Sequence, residues 1–467
     1  MAKRNELPAL IASLFVTIGL LGGGAWFLMN NFSGQPGGTS DGPTPPPAAG
    51  KLDVAGADGS SGDSVLPRAL SDKKQAGLDA LASKDYETAQ AEFEASLSEN
   101  RNDPESRIYL NNAKIGESPS YEIALIVPAG DNVDAAQELM RGAAQAQAEI
   151  NAGSGLNGTP LKILIVNDSD DKELAASVAA DLVASKDVLG VVGHFSSGTT
   201  LAAAKIYETG GLTMISPTST SVEISQAGDY IFRTVPSDRL AASTLASYAL
   251  NTLNKKKAAV FYNGENAYSK SIKQEFVLEL TGKQGEVVEF DITAPGFNVT
   301  QAMKTLQAEG AEVIMMALTL TPLDVPLQII SLNRRSLPLL GSDSLYSPKI
   351  LSLGAENAIG LTVAVPWHIL NHGQSAFVEN SRQLWGADVN WRTVTAYDAV
   401  MTLAAGLRGE ASRQGVAAVL AERGFTVEGA TDPVRFFDTG DRNQPFQLVE
   451  VVPGNRSGSG YDFVPVE

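Results

Sequence analysis

VVGHFSSGTT at residues 191–200 and MISPTST at residues 214–220 decide how this chain reads. Each couples a short apolar run to a turn of small and hydroxyl residues, and the first then enters a helical pattern. That is the signature of a strand ending at the carboxyl edge of a parallel sheet and handing over to a helix. Working outward, EIALIVP at 122–128, LKILIV at 161–166, and residues 188–192, 213–215 and 258–262 read as strands. Between and after them, residues 134–151, 173–185, 201–209 and 237–254 carry helical spacing. Apolar strands of about five or six residues between helices predict α/β architecture, with parallel sheets covered on both faces by helices. Residues 121–467 are too many for one comfortable core, so two lobes are expected.

The two turns have a chemistry of their own. Ser197 and Thr220 would each lie just past a strand's carboxyl end, where open parallel sheets place their ligands. Hydroxyls beside the free N–H groups of a helix N-terminus suit a carboxylate. Serine and threonine are also among the commonest helix caps, and the pattern alone leaves both roles open.

Composition narrows the function classes. With 35 Lys+Arg against 53 Asp+Glu the net charge is −18, and Lys255-Lys256-Lys257 is the one basic cluster, so nucleic acid is not the expected partner. The chain has no cysteine, which excludes thiolate zinc, thiol catalysis and a lipidated cysteine anchor. GSGLNG at 153–158 fits the spacing of a dinucleotide loop, but a helix precedes it and a strand follows, the reverse of what that loop needs. His368 and His372 lack a third metal ligand at useful spacing, and Trp367 beside them points to packing. Asp168-Ser169-Asp170-Asp171 lacks the glycine and distal glutamate of a calcium loop. With three histidines and no nucleophile elbow, the inventory for an enzyme is thin. No catalytic residue, no metal and no cofactor is expected.

The start of the chain predicts a tether. Residues 7–29 contain no charge, long enough to span a bilayer as a helix. Lys3 and Arg4 precede them and no Lys or Arg follows until Lys51, so the N-terminus should face the cytoplasm and the bulk of the chain the outside of a bacterial cell membrane. A cleaved signal peptide, with Gly23 and Ala25 as the small residues, is the rival reading. Residues 31–66 are rich in Gly, Pro and Ser and read as a disordered linker. Residues 67–117 return to helical spacing through Leu78, Leu81, Ala89, Phe93 and Leu97.

Several ordered landmarks in 121–467 resemble the periplasmic leucine/isoleucine/valine-binding family, the type I "Venus flytrap" proteins that serve ATP-driven amino-acid importers. Besides the two opening stretches, they are Glu149-Ile150-Asn151, Gly155-Leu156-Asn157-Gly158, Phe232-Arg233-Thr234, Ala396-Tyr397-Asp398 and Phe436-Phe437-Asp438-Thr439-Gly440-Asp441. The resemblance implies a two-lobed fold, lobe 1 from about 121–236 and 367–428 and lobe 2 from about 237–366 and 429–467. It implies that Ser197 and Thr220 hold a ligand carboxylate, with help from Thr218 and Ser219. It further implies that Asp343, in Leu340-Gly341-Ser342-Asp343, takes the ligand's ammonium, and that Tyr268 packs over the ligand. An amino-acid-like zwitterion captured by lobe closure is the function implied, with an importer's permease or a sensory protein as partner.

The chain departs from branched-chain members in two places. The loop at residues 128–134 has no tryptophan, and Thr319-Leu320-Thr321 stands where the family has aromatics, so the side-chain pocket should be more open or more polar. Residues 77–104 also resemble one tetratricopeptide repeat, although a three-residue insertion precedes Pro104 and Ser96 stands where alanine is usual. A lone repeat needs something to pack on. A helical repeat joined to a flytrap domain is similar, too, to envelope proteins that activate peptidoglycan synthases, which gives a scaffold for protein binding as the second functional reading.

Overall fold

Helix starts in this chain are written by single side chains. Ser71, Asp85, Asp103, Asn132, Asp171, Ser196, Asn266, Asn298, Ser375, Asn390 and Ser412 each stand at an N-cap and accept a bond from the N–H two or three residues on. Such a cap stabilises a helix by about 1 kcal/mol. The computed structural model describes residues 54–55 (backbone only), 64–67, 70–130 and 132–466. The apolar run at 7–29 and most of the 31–66 stretch lie outside them. No helix among the described residues is long and apolar enough to cross a membrane.

The first lobe opens with β1 (Val54–Ala55) and three helices, α1 (Asp72–Ala82), α2 (Tyr86–Glu99) and α3 (Pro104–Ile115). It continues as β2 (Tyr121–Val127), α4 (Val133–Ala152), β3 (Leu161–Asn167), α5 (Lys172–Ala184), β4 (Val188–Val192), α6 (Ser197–Gly210), β5 (Met214–Ser216) and β6 (Ile231–Arg233). The sheet order is β1-β3-β2-β4-β5-β6, parallel except for β1, which pairs antiparallel with β3. Val54–Ala55 thus extends a sheet edge, where a disordered linker was expected from the Gly, Pro and Ser around it. Two β-compatible residues at an open edge suffice, since the edge offers unpaired backbone groups.

The second lobe runs through α7 (Asp238–Ser247), β7 (Lys257–Tyr262), α8 (Ala267–Gly282), β8 (Glu286–Asp291), α9 (Val299–Ala308), β9 (Val313–Ala317), α10 (Asp324–Asn333), β10 (Leu339–Gly341), α11 (Pro348–Gly354) and β11 (Leu361–Val365). The helix expected over 237–254 ends at Ser247 and closes in a wider π-helical turn, Tyr248–Thr252. The chain then returns to the first lobe as α12 (Ala376–Trp385), α13 (Trp391–Gly409) and α14 (Arg413–Leu420), and ends in the second as β12 (Gln447–Pro453) and β13 (Tyr461–Pro465). That sheet is ordered β13-β12-β11-β10-β9-β7-β8, with β12 and β13 antiparallel. Every residue of β9, β10 and β11 is buried, the mark of strands covered on both faces.

The helical segment is fastened to the first lobe. Gly77 lies against the ring of Phe93, where a Cβ would come within 2.8 Å, so α1 and α2 form a close hairpin. Helix α3 then packs on α4 and β3. Asn112 bonds Ile163 in both directions, its Nδ2 donating to the carbonyl (2.8 Å) and its Oδ1 accepting from the N–H (3.2 Å). Its Oδ1 also accepts from Gln147 on α4, while Lys162 donates to the Gly116 carbonyl and Arg141 to Asn102. This satisfies backbone groups of β3 that would otherwise be open.

Where the chain crosses between lobes, Arg233 is fully buried and uses its guanidinium as a clamp. It donates to Asp441 (2.7 Å), to the carbonyls of Ser219 and Ser221 and to the Ser225 hydroxyl, tying the first and last crossings to the 216–225 loop.

Candidate functional site

A cleft of about 350 Å³ lies between the lobes at the carboxyl ends of the strands. On the first lobe its wall is the N-terminus of α6. The cap Ser196 accepts from Thr199 N–H, and Ser197 and Gly198 face the cleft. Ser197 Oγ accepts from Ser221 N–H (3.2 Å), and Thr218 Oγ1 donates to the Phe195 carbonyl (2.6 Å), so the two turns hold each other in place. Beneath them His194 is fully buried, bonded through Nδ1 to Asp168 (2.7 Å) and through Nε2 to the Tyr207 hydroxyl (3.0 Å). The positive end of α6 and two hydroxyl residues thus face one space.

The facing wall comes from the second lobe. Tyr268, in the first turn of α8, donates its hydroxyl to Asp343 Oδ1 (2.7 Å) and accepts from Ser344 N–H (3.3 Å). Asp343 follows β10 and is 4% exposed. Burial raises its pKa above 3.8, and the Tyr268 hydroxyl and the charge of Arg392 pull it back down. Burial, with Asp343 beside it, likewise drives the Tyr268 phenol well above 10, so the hydroxyl remains a donor.

Of the six residues expected at the site, Ser197, Thr218, Tyr268 and Asp343 line the cleft together. Ser219 and Thr220 do not. Ser219 turns its hydroxyl inward to Thr200 (2.7 Å) and the carbonyls of His194 and Phe195. Thr220 is fully buried; its carbonyl accepts from Asp238 N–H (2.8 Å), and its hydroxyl lies near the Asp238 carboxyl without hydrogen-bond geometry. Thr319, Leu320 and Thr321 line the cleft where aromatics were missing from the sequence.

Several cleft residues were not anticipated, among them Asp170, Lys172, Glu265, Trp391 and Arg392. Trp391 and Arg392 begin α13, with Asn390 capping the helix through Arg392 N–H (2.9 Å). Gly142 explains how α13 gets there: a Cβ on it would lie 2.1 Å from the Thr393 carbonyl, so α4 and α13 touch backbone to backbone. Thr393 also donates to Glu138 of α4. Trp391-Arg392 at a capped helix start was a visible signal, but its aim into the cleft depends on this packing.

The two histidines set aside as metal ligands are packing residues. His372 stacks on Trp367, ring centroids 5.5 Å apart, and His368 meets Tyr346 edge-on. Burial lowers the His368 pKa to about 4. Among the described residues no group of three or more His, Asp or Glu could hold a metal ion.

Comparison with known proteins agrees with this fold. A family model described as a periplasmic binding protein matches residues 120–458. An amino acid binding protein of Pseudomonas aeruginosa is 30% identical over 187 residues, 40% of this chain and 50% of the relative. Leu/Ile/Val-binding protein homolog 3 of Brucella melitensis biotype 1 is 24% identical over 336 residues, 69% of this chain and 89% of the relative. The chain thus spans half the length of the first relative and most of the second. The crystal structure of a leucine binding protein from Thermotoga maritima superposes with a TM-score of 0.64 at 21% identity, covering 74% of this chain and 97% of that one, a likeness of fold.

Proposed function

The chain belongs to the periplasmic binding protein family, and from that premise we propose that it captures an α-amino acid or a similar zwitterion by closing its lobes. One observation carries the reading: Ser197, Thr218 and the α6 N-terminus stand on one wall of a single cleft, and the Asp343–Tyr268 pair on the other. The α6 N-terminus and the Ser197 hydroxyl, whose proton is uncommitted, suit a carboxylate, with Thr218 shaping the wall, and the second set suits an ammonium. A ligand that bridges both walls stabilises the closed form over the open one, which is what makes closure respond to binding. The family is one of binding proteins, not enzymes, and the residues of the cleft act here by holding charge.

In this reading the protein works outside the cytoplasm, delivering its ligand to an ATP-driven importer or a sensory partner. The uncharged run at residues 7–29 tethers it to the membrane, and helices α1 to α3, fixed to the first lobe through α3, move with that lobe. The names of the relatives point to amino acids as the ligand class.

Thermal unfolding of the full-length chain against a panel of amino acids, amides and short-chain acids tests this. A ligand at about 100 times its Kd adds about 2.7 kcal/mol to the folded state, a rise of several degrees. The reading predicts such a rise for at least one α-amino acid; a panel in which only uncharged or purely anionic compounds raise the melt contradicts it.

A further inference from the structure

Resting on the capture of a zwitterion proposed above, we infer that the ligand is an amino acid with an anionic side chain, an α-amino dicarboxylate, whose second carboxylate is held by Arg392 and Trp391.

The reason lies in donors left without acceptors. Arg392 lines the cleft, makes no side-chain hydrogen bond and no ion pair among the described residues, and its Nε is shut off from solvent. Its guanidinium lies 4.3 Å over the Trp391 ring, which fixes its plane. Trp391 is 1% exposed, lines the same cleft, and its Nε1–H has no partner either. Two adjacent side chains, both donors only, thus stand in one cavity without a hydrogen-bonded acceptor among the described residues, although the carboxylates of Asp343 and Glu138 act on the guanidinium by charge. Buried donors are normally paired, so the buried Trp391 N–H and Arg392 Nε, unpaired at a cavity wall, call for an acceptor, and beside a partly exposed guanidinium an anionic one.

The surroundings say where that group sits on the ligand. Arg392 and Asp343 are close enough for each to shift the other's titration, yet they form no ion pair. A ligand that carries an ammonium a few bonds from a side-chain carboxylate fits between them, each of its charges meeting its opposite. The Asp343 carboxylate already has the Tyr268 hydroxyl, so it does not need Arg392 to be satisfied. A wholly apolar side chain would leave both donors desolvated and unpaired, which disfavours leucine-like ligands. Thr319 and Thr321 in place of aromatics remove the apolar wall such a ligand would want.

The test is calorimetric titration of the full-length chain with L-aspartate, L-glutamate, L-asparagine, L-glutamine and L-leucine, repeated for Arg392→Met and Arg392→Lys. Circular dichroism and the ligand-free melt establish that each variant folds. The wild type is expected to prefer an acid over its own amide by roughly 10- to 100-fold, the worth of a charge-assisted bond. Arg392→Met collapses that acid-to-amide ratio toward one, and Arg392→Lys keeps part of it. Binding of leucine or the amides as tightly as the acids overturns the inference while leaving capture of a zwitterion intact. An undiminished ratio in Arg392→Met overturns the assignment of Arg392. If no amino acid of either kind binds, the capture reading falls first and this one with it.

Discussion

Asp238 offers a test of the lobe crossing that does not involve ligand. The residue opens α7 immediately after the first crossing, and is fully buried with neither carboxyl oxygen hydrogen bonded. Burial pushes its pKa from 3.8 to about 7; the Ser271 and Thr220 hydroxyls and Arg233 pull it down, and Asp343 adds to the rise. A carboxyl whose folded pKa exceeds its unfolded value binds its proton more tightly when folded. Its favourable contribution is therefore complete below pH 4 and is lost as the pH rises to 7. At about 1.4 kcal/mol per pKa unit, the loss across that window is at most about 4 kcal/mol. Asp238→Asn keeps the shape and cannot ionise. Denaturant unfolding of wild type and variant between pH 4 and pH 9 should give a stability difference that grows in the variant's favour from pH 4 to pH 7 and is flat above. A difference independent of pH would refute the argument, because it would place the carboxyl in contact with water or with a full complement of donors.

Three other perturbations probe separate parts of the account. Glu105→Gln removes one of two carboxylates from the buried Lys74, which bonds Glu105 at 2.7 Å and Asp103 at 2.9 Å; because Asp103 remains, we expect a loss of about 2 kcal/mol, less than for a fully orphaned charge, seen as faster amide exchange in α1–α3. Gly142→Ala places a methyl against the Thr393 carbonyl and the Tyr397 N–H; it should cost about 1–3 kcal/mol in denaturant unfolding and loosen the Trp391–Arg392 wall, and an unchanged midpoint would mean that α4 and α13 are not in backbone contact. Tyr268→Phe deprives Asp343 of its hydroxyl donor, so amino-acid affinity should fall roughly 10-fold by calorimetry and begin to fail at a higher pH than in the wild type, since the lost donor was holding the Asp343 pKa down.

The sheets were legible in the sequence because a strand buried on both faces has to be a short apolar run, and VLGVV at 188–192 or LKILIV at 161–166 fits little else. The turns after them were visible as clusters of hydroxyl residues at strand ends, but capping and ligand contact leave the same mark in sequence. What did not follow was the direction in which each hydroxyl points. Thr218 lines the cleft while Ser219 and Thr220 are buried away from it; the Thr200 hydroxyl holds that of Ser219 and the Asp238 N–H holds the Thr220 carbonyl, contacts between residues far apart in sequence. Arg392 stayed hidden for a similar reason. An arginine in the first turn of a helix reads as a solvated charge until the Gly142 contact brings its helix to the cleft. Asn112 on α3 carries no signal of its own in the sequence, yet its amide completes the backbone bonding of Ile163.

The central claim is that the two walls of the cleft hold the two charges of one amino acid. Calorimetric titration of the full-length chain with its best amino-acid ligand, in wild type and in Asp343→Ala and Asp343→Asn, measures it most directly. Binding of one ligand per chain with a negative heat-capacity change is expected in the wild type, and a loss of at least about 100-fold in both variants, because the ligand's ammonium would then be buried without its opposite charge. Wild-type affinity retained in either variant would contradict it.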